Sequence, residues 1–243
     1  MTDNNHEEEL AEGTLLSHLI ELRSRLLIIA VAVLVAFVIL LPFSRDIFTL
    51  VSEPLREVLP GNAMIATAVA SPLLTPFKLT FFAALFLVMP VVLFQVWNFI
   101  APGLYKNEKR FAIPLLATSI VLFYLGIAFA YFVVFPLIFG FFTSIAPEGV
   151  EVQTDITQFL DFITTIVFAF GIAFEVPVAT VLIVWAGLTN IEKLAKARPY
   201  VFLMAFIAGM FLTPPDVISQ SLLAVPVYLL YELGIIMSKV FVS

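Results

Sequence analysis

The chain has 243 residues, of which 62% are hydrophobic and 12% are charged, and its mean hydropathy is +1.10. These values lie outside the range of soluble globular domains and predict a polytopic membrane protein, with residues 1–243 forming one integral membrane domain. The formal net charge of -6 argues against nucleic acid as a partner. The chain contains no cysteine, which excludes disulfides, thiolate metal sites and thiol nucleophiles.

The N-terminal segment starts with an acidic tail, residues 1–13, for which we predict disorder. Thr14 can cap an amphipathic entry helix over residues 14–21. This helix leads into a first span at about residues 22–41, which we expect to end at Pro42. Because the tail is acidic and the span is longer than the apolar region of a signal peptide, the span should remain as an anchor.

The next segment, residues 43–75, mixes charged and apolar residues and predicts an ordered cap outside the membrane. Ser52 and Pro54 have the pattern of an N-cap and first turn of a short helix. Thr75 and Pro76 have the same pattern at the start of the second span.

Five further apolar runs predict five more spans. The fifth span has fifteen residues and reaches only about 22 Å, which is shorter than a hydrocarbon core of about 30 Å. We therefore expect the bilayer to thin there, or one side of the protein to be hollow. The predicted spans after the first are about 76–100, 111–135, 159–186, 199–213 and 217–237.

The basic residues are distributed unequally between the two sides of the predicted membrane. Nine of the twelve lysines and arginines lie beside the termini or in the two basic loops, residues 101–110 and 187–198. The positive-inside rule places that side in the cytoplasm and the cap outside. Both termini are therefore predicted to be cytoplasmic.

The fourth span carries an acid near its middle, at Glu175, followed by Pro177. A charge at the centre of a span costs at least about 2.5 kcal/mol on insertion scales. Pro177 also leaves the carbonyl of Ala173 without its helical donor, so we expect a bend there. Two interpretations follow: a glutamic acid that hydrogen-bonds a neighbouring helix, or a polar notch for something that passes through or docks in the membrane.

Catalytic chemistry has little support in this sequence. Its two histidines, His6 and His18, lie in the tail and the entry helix, which excludes a histidine-carboxylate metal cluster or a histidine-based triad. A glycine-rich phosphate loop is also missing, which argues against transport driven by nucleotides. We therefore predict no enzyme activity, no metal and no cofactor.

Two acids on the predicted cytoplasmic side allow two interpretations. Glu21 precedes Arg25 by four residues, so the two can pair along a helix for about 0.3 kcal/mol. Glu108 can simply offset Lys106 and Lys109. Alternatively, both acids receive a cationic group from a ligand, and a guanidinium matches a carboxylate best because it binds through two parallel hydrogen bonds.

Residues 18–26, His-Leu-Ile-Glu-Leu-Arg-Ser-Arg-Leu, resemble the N-terminal signature of the TatC family, the multispanning receptor subunit of the twin-arginine protein translocase. Six further stretches agree with the family pattern in family order, and together they cover about Leu15 to Lys239. These stretches are Ser52–Leu55, Ser71–Pro72, Gln95–Trp97 with Pro102–Arg110, Phe174–Pro177, Arg198–Tyr200 and Thr213–Asp216.

The resemblance implies an all-α fold of six transmembrane helices in a curved, glove-like arrangement with a periplasmic cap. It implies a receptor and core subunit that binds twin-arginine signal peptides of folded proteins and organises their export, driven by the proton gradient. The implied location is the bacterial cytoplasmic (inner) membrane. The implied partners are cargo signal peptides, the single-span subunits TatA and TatB, other TatC copies and membrane lipids.

The resemblance also assigns roles to residues on the cytoplasmic side. Glu21 and Glu108 match the acids that receive the twin-arginine motif. Three basic residues are implied to support them: Arg23, Arg25 and Lys106.

Within the membrane and outside it, five more residues match family positions. Glu175 matches the acid of the concave face, which is associated with the apolar segment of the signal peptide and with partner helices. Pro177 and Gln95 are assigned to the same groove. Pro54 belongs to the periplasmic cap, and Asp216 belongs to the outer turn before the last span.

Two other interpretations remain open. In a proton-coupled transporter of a small solute, Glu175 would be the coupling acid, although such transporters often show inverted repeats and paired broken helices. A membrane scaffold without cargo would leave Glu21 and Glu108 freely replaceable.

Overall fold

Helices make up most of the described chain. The computed structural model describes residues 3–56, 64–100, 109–145, 153–213 and 216–242. Within these ranges, a 3-10 turn at Leu41–Phe43 and a π-helical turn at Ala130–Val134 connect α-helices. The α-helices are α1 (Asp3–Leu40), α2 (Ser44–Arg56), α3 (Ser71–Leu87), α4 (Met89–Ile100), α5 (Lys109–Phe129), α6 (Phe135–Ser144), α7 (Ile156–Ala173), α8 (Val176–Trp185), α9 (Ile191–Leu212) and α10 (Val217–Val242).

Five helical units in the described ranges are each long and apolar enough to cross a membrane. The pair of α3 and α4, which are bent by 49° relative to each other, makes a sixth when it is counted as one span. The predicted all-α fold with six spans is confirmed. The five continuous units are Leu19–Arg56, Ile113–Ser144, Ile156–Trp185, Ile191–Leu212 and Val217–Val240.

The bend between α3 and α4 lies at Pro90. Because a proline has no N–H, Pro90 leaves the carbonyl of Phe86 without its usual helical donor. The hydroxyl of Tyr124, on α5, donates to that carbonyl at 3.0 Å. A side chain of the neighbouring span therefore satisfies the backbone group that the bend exposes.

The N-terminal helix begins earlier than predicted. It begins at Asp3, so residues 3–13, predicted to be disordered, are helical. Glutamate, leucine and alanine are good helix formers, and extending an existing helix costs little compared with nucleating one. At its other end, α1 stops at Leu40, close to the predicted end at Pro42, and the helical path continues through the 3-10 segment, which has Pro42 in its first turn.

The predicted helix start at Ser52 is wrong, because Ser52 and Pro54 lie inside α2 near its end. Pro54 deprives the carbonyl of Leu50 of a helical donor. The hydroxyl of Tyr131, in the π-helical turn, donates to that carbonyl at 2.7 Å. This bond explains how α2 tolerates an internal proline, and it ties α2 to the third span.

The start of α3 also differs from the prediction. This helix begins at Ser71 with Pro72 in its first turn, whereas Thr75 and Pro76 lie one turn further inside. Pro72 fits near the helix start, because the first N–H groups of a helix have no intrahelical acceptor, whereas Pro76 lies inside the helix and leaves the carbonyl of Pro72 without its helical donor. The predicted cap of residues 43–75 is therefore mostly helical in its described parts, with α2 at its beginning and α3 at its end.

The span made of α7 and α8 is the centre of the molecule. Half of its most apolar stretch is buried inside the protein, compared with 11% for the first and fifth spans. The main hydrophobic core consists mostly of residues of α6, α7 and the π-helical turn, with Leu55 of α2 and Leu223 of α10; its members with no exposed surface are Ala130, Phe135, Ile138, Ile166 and Phe170. Side chains carried by α7 and α8 are therefore held by the best-packed part of the protein.

A segment of the cap is hydrogen-bonded to the start of α7. Ile65 donates its N–H to Thr154 O at 3.0 Å and accepts from Ile156 N at 2.9 Å, which forms an isolated parallel bridge. We call this end of the molecule, at residues 64–71 and 153–155, the cap face. The opposite end, where Glu21 lies, we call the Glu21 face.

The Asp155 carboxylate adds further hydrogen bonds between the cap segment and α7. One oxygen accepts from the hydroxyl and the N–H of Thr67, at 2.7 and 2.9 Å. The other accepts from the N–H groups of Thr157 and Gln158, at 2.8 and 3.2 Å, as the N-cap of α7. These bonds, those from Thr67 above all, hold the pKa of Asp155 well below its usual value.

Candidate functional site

On the Glu21 face, a single arginine connects the first span to α4. Arg25 Nε donates to Glu21 Oε1 at 3.1 Å, and Arg25 Nη2 contacts the same oxygen. Arg25 Nη1 donates to Gln95 Oε1 at 3.0 Å, and Nη2 donates to the carbonyl of Asn98 at 3.1 Å. The guanidinium therefore fixes the Glu21 carboxylate relative to α4.

The Glu21 carboxylate keeps spare binding capacity despite this pair. Its side chain is 35% exposed, whereas that of Arg25 is 19% exposed. Both contacts with Arg25 use Oε1, and in the described part of the chain Oε2 accepts no hydrogen bond. A carboxylate can accept about four hydrogen bonds, so Glu21 can bind a second cation without releasing the first.

The sequence assigned further residues to the cytoplasmic side and to the groove, and the structure describes only some of them. Glu108 and Lys106 lie outside the described residues. Arg23 is exposed to the surroundings. Gln95, assigned from the sequence to the groove beside Glu175, lies instead against Arg25, because the bend at Pro90 directs α4 toward the first span.

Glu175 lies at the interruption between α7 and α8, where the sequence predicted a bend. It accepts a hydrogen bond through Oε2 from the hydroxyl of Ser119 on α5, a side chain with 1% exposure. Its other oxygen, Oε1, is buried and has no hydrogen-bond partner among the described residues. A buried atom of this kind normally has a partner, so this oxygen is an exception among the described residues.

A groove of about 540 Å³ runs beside this interruption. Its walls come from α3, α7, α8, α9 and α10 and are mainly apolar. Ala173 and Val176, which flank the Glu175 turn, belong to the wall. Pro177, in contrast, is buried behind it, where a Cβ added to Gly234 of α10 would come within 3.0 Å of the Pro177 Cα. The backbone of α8 at Pro177 therefore lies close to α10 at Gly234.

Asp216 has a local role in the structure. It precedes α10 and accepts the N–H of Ser219 through Oδ1 at 2.7 Å, as an N-cap does. The second oxygen, Oδ2, is buried without a partner among the described residues. Pro54 lies near the end of α2, one turn after Leu50, whose carbonyl accepts from the Tyr131 hydroxyl.

Sequence reasoning missed two ion pairs between spans. Lys78 of α3 pairs with Asp161 of α7, and both side chains are about half exposed. Arg198 of α9 binds Glu232 of α10 through two bonds, of 2.6 and 2.9 Å. The signal for the first was present in the sequence, because opposite charges lie just inside the cap-side ends of two predicted spans.

Comparison with known proteins identifies the family. Residues 17–226 match the family model described as Sec-independent protein translocase protein (TatC). A protein of that name from Azotobacter chroococcum mcd 1 is 62% identical over 222 residues, which cover 91% of this chain and 87% of the relative. The protein of the same name from Escherichia coli (strain K12) is 58% identical over 230 residues, covering 94% of this chain and 89% of the relative.

A solved structure agrees with the fold. The crystal structure of the twin arginine translocase receptor TatC superimposes with a TM-score of 0.82 at 37% sequence identity. The match covers 92% of this chain and 98% of that chain. This chain therefore belongs to the TatC family and is a multispanning membrane subunit of a twin-arginine protein translocase.

Proposed function

We propose that this subunit is the receptor for twin-arginine signal peptides of folded proteins and organises their export across the inner membrane, driven by the proton gradient. The observation that carries the proposal is the Glu21 carboxylate, which Arg25 fixes in position while one oxygen remains open. A protein that is 37% identical is described as a translocase receptor, which supports the same role.

The chemistry of the Glu21 face suits an arginine better than a lysine. A guanidinium offers five N–H donors in a planar fork, whereas an ammonium is a compact and strongly hydrated charge. Glu108, the second proposed acid, directly precedes Lys109, where α5 begins, and follows the helix that Arg25 contacts. We assign one arginine of the signal peptide to each acid, with Arg23, Arg25 and Lys106 in support.

The orientation of the protein follows from the distribution of charge. The sequence predicts the basic loops and both termini on the same side of the membrane as Glu21, so we assign the Glu21 face to the cytoplasm and the cap face to the periplasm. A cytoplasmic signal peptide then meets Glu21 first. The proton gradient is our assignment of the energy source, because the sequence has no nucleotide-binding motif.

We assign the apolar segment of the signal peptide to the groove beside Glu175. The groove walls are apolar, so burial of an apolar helix against them is favourable, and the Glu175 turn lies directly beside the wall residues Ala173 and Val176. The single-span helices of TatA and TatB are the other proposed occupants of this side, while other TatC copies and membrane lipids contact the remaining apolar surface.

Peptide binding tests the proposal directly. We would place the protein in phospholipid nanodiscs and measure the affinity of a synthetic twin-arginine signal peptide and of a copy with both arginines replaced by lysine. Glu21→Gln and Glu108→Gln should each weaken binding of the arginine peptide by about tenfold, the loss of one charge-assisted pair. Glu192→Gln is the matched control, because Glu192 is an exposed acid at the start of α9 on the same face.

Equal affinity of the arginine and lysine peptides for all variants would overturn the receptor assignment. The alternative would then be a proton-coupled transporter of a small solute, for which the buried Glu175 Oε1 is the supporting observation. That alternative predicts solute uptake into proteoliposomes driven by a pH gradient and abolished by Glu175→Gln.

A further inference from the structure

A pocket of about 410 Å³ lies next to the cap face, where three helices meet. Its walls come from the beginnings of α2, α3 and α7. We call it the Arg45 pocket, because Arg45 is the only charged residue in its wall. The lining residues are Arg45, Phe48, Thr49, Pro72, Pro76 and Ile156.

Arg45 differs from the other two basic residues on the cap side, because its guanidinium has no hydrogen bond or ion pair in the described part of the chain. Lys78 forms an ion pair with α7, and Arg56 also has an interaction partner. The adjacent acid, Asp46, does not face Arg45, because neighbouring residues on a helix point in different directions. The five N–H donors of the guanidinium are therefore available to a ligand.

An exposed apolar surface lies on the membrane side of this pocket. The rings of Phe37 on α1 and Phe81 on α3 are in edge contact, with centroids 6.0 Å apart. Along the two helices, Phe37 and Phe81 are separated from Arg45 and Pro76 by only about two turns. Phe77, the residue after Pro76, is 38% exposed, and Phe81 is 46% exposed. A charged pocket and an apolar surface are therefore adjacent, in the order in which a lipid head group and its acyl chains are arranged.

We propose that the Arg45 pocket binds the phosphate of a membrane phospholipid whose acyl chains lie against α1 and α3. A guanidinium binds a phosphate through two parallel hydrogen bonds, and basic pockets between membrane spans can bind phospholipid head groups. A free phosphate would use only Arg45, whereas a phospholipid also covers the exposed rings of Phe77 and Phe81. The inference goes beyond the receptor role, because it concerns the cap face and a different ligand.

The test uses a thiol placed in the pocket wall. Because the chain has no cysteine, Thr49→Cys introduces a single reactive group at an exposed position of the wall. The rate at which a water-soluble maleimide alkylates this thiol is measured in detergent micelles that contain increasing fractions of dioleoylphosphatidylglycerol. A lipid bound at Arg45 should slow the alkylation, and the lipid fraction that gives half of the full protection measures its apparent affinity.

Substitutions of Arg45 in the Thr49→Cys protein should change this affinity. Arg45→Gln should raise the half-protecting lipid fraction by about tenfold, the loss of one charge-assisted pair. Arg45→Lys should have a smaller effect, because it keeps the charge but loses the planar fork. The matched control is Lys193→Gln, which removes an exposed cation at the start of α9, far along the chain from the pocket, and should leave the protection unchanged.

Two further ligands separate the phosphate from the acyl chains. Dioleoylglycerol has the same chains without the phosphate, and glycerol phosphate has the phosphate without the chains. We expect neither to protect the thiol as dioleoylphosphatidylglycerol does, because each lacks one of the two parts that the site recognises.

Equal protection by dioleoylglycerol, or an unchanged half-protecting fraction in the Arg45→Gln protein, would overturn the inference. Equal protection by glycerol phosphate would also overturn it, because the site would then bind a free phosphate and not a lipid. Thermal unfolding of each variant shows whether it is folded. Arg45→Gln should leave the unfolding midpoint unchanged, because the guanidinium has no partner among the described residues.

Discussion

Asp155 and Glu175 lie on the same central span, but their hydrogen bonding is opposite. Asp155, at the cap face, accepts four hydrogen bonds, two on each oxygen. Glu175, at the interruption of the span, accepts one bond from Ser119, and its second oxygen has no partner in the described part of the chain. A carboxylate with all its acceptor sites used holds the fold together, whereas one with an open site can bind something else.

Removing the Asp155 carboxylate should have the largest effect on stability. Asp155→Ala leaves the donors of Thr67, Thr157 and Gln158 without their acceptor, and it releases the cap segment from α7. We expect the thermal unfolding midpoint of the detergent-solubilised protein to fall by several degrees. Asp155→Asn keeps one oxygen acceptor and should lose less, so equal loss in both variants would contradict this account.

Glu175 should respond in the opposite way. Glu175→Leu combined with Ser119→Ala removes a buried oxygen that has no partner without leaving the Ser119 hydroxyl unpaired, so the unfolding midpoint should stay the same or rise. Export of a twin-arginine cargo should nevertheless fall by about tenfold or more, because the middle of this span loses its acid. A variant that lost stability and export together would show that Glu175 has the structural role that we assign to Asp155.

The stability of the protein should also depend on pH through Asp155. Because its hydrogen bonds lower the pKa of Asp155 in the folded protein, this group stabilises the fold fully above its ordinary value of 3.8. The contribution is lost as the pH falls below that value, toward the folded-state pKa. Unfolding midpoints measured from pH 7 to about pH 3 should therefore drop at the acidic end, and Asp155→Asn should lose the part of the drop due to this group.

The sequence predicted the six spans because apolar runs of about twenty residues have few alternative interpretations. It also placed the interruption at Glu175 and Pro177, where an acid and a proline coincide. The helix starts at Ser52 and Thr75 were wrong, because a local proline pattern does not reveal a donor that comes from another span. Tyr131 follows Leu50 by about eighty residues, and no local pattern connects the two.

The candidate site was predictable only where its contacts are local in the sequence. Spacing alone identified the pair of Glu21 and Arg25, because residues four apart face each other on a helix. The contacts of Arg25 with Gln95 and Asn98 depend on the bend at Pro90, which sets the direction of α4. Ser119 gave no signal, because a serine in an apolar span has many possible partners.

The smallest predicted effect concerns the carbonyl of Leu50, which Pro54 leaves without a helical donor. Tyr131→Phe removes the hydroxyl that replaces this donor and should lower the free energy of unfolding by about 1 kcal/mol. In a Pro54→Ala protein, the new N–H of residue 54 can donate to the same carbonyl, so the tyrosine substitution should cost less there. The measurement is a double-mutant cycle of denaturant unfolding, with Tyr200→Phe as the control because Tyr200 is 71% exposed. If the two substitutions were additive, the hydroxyl would not be replacing the missing helical donor, and α2 would need another explanation for its internal proline.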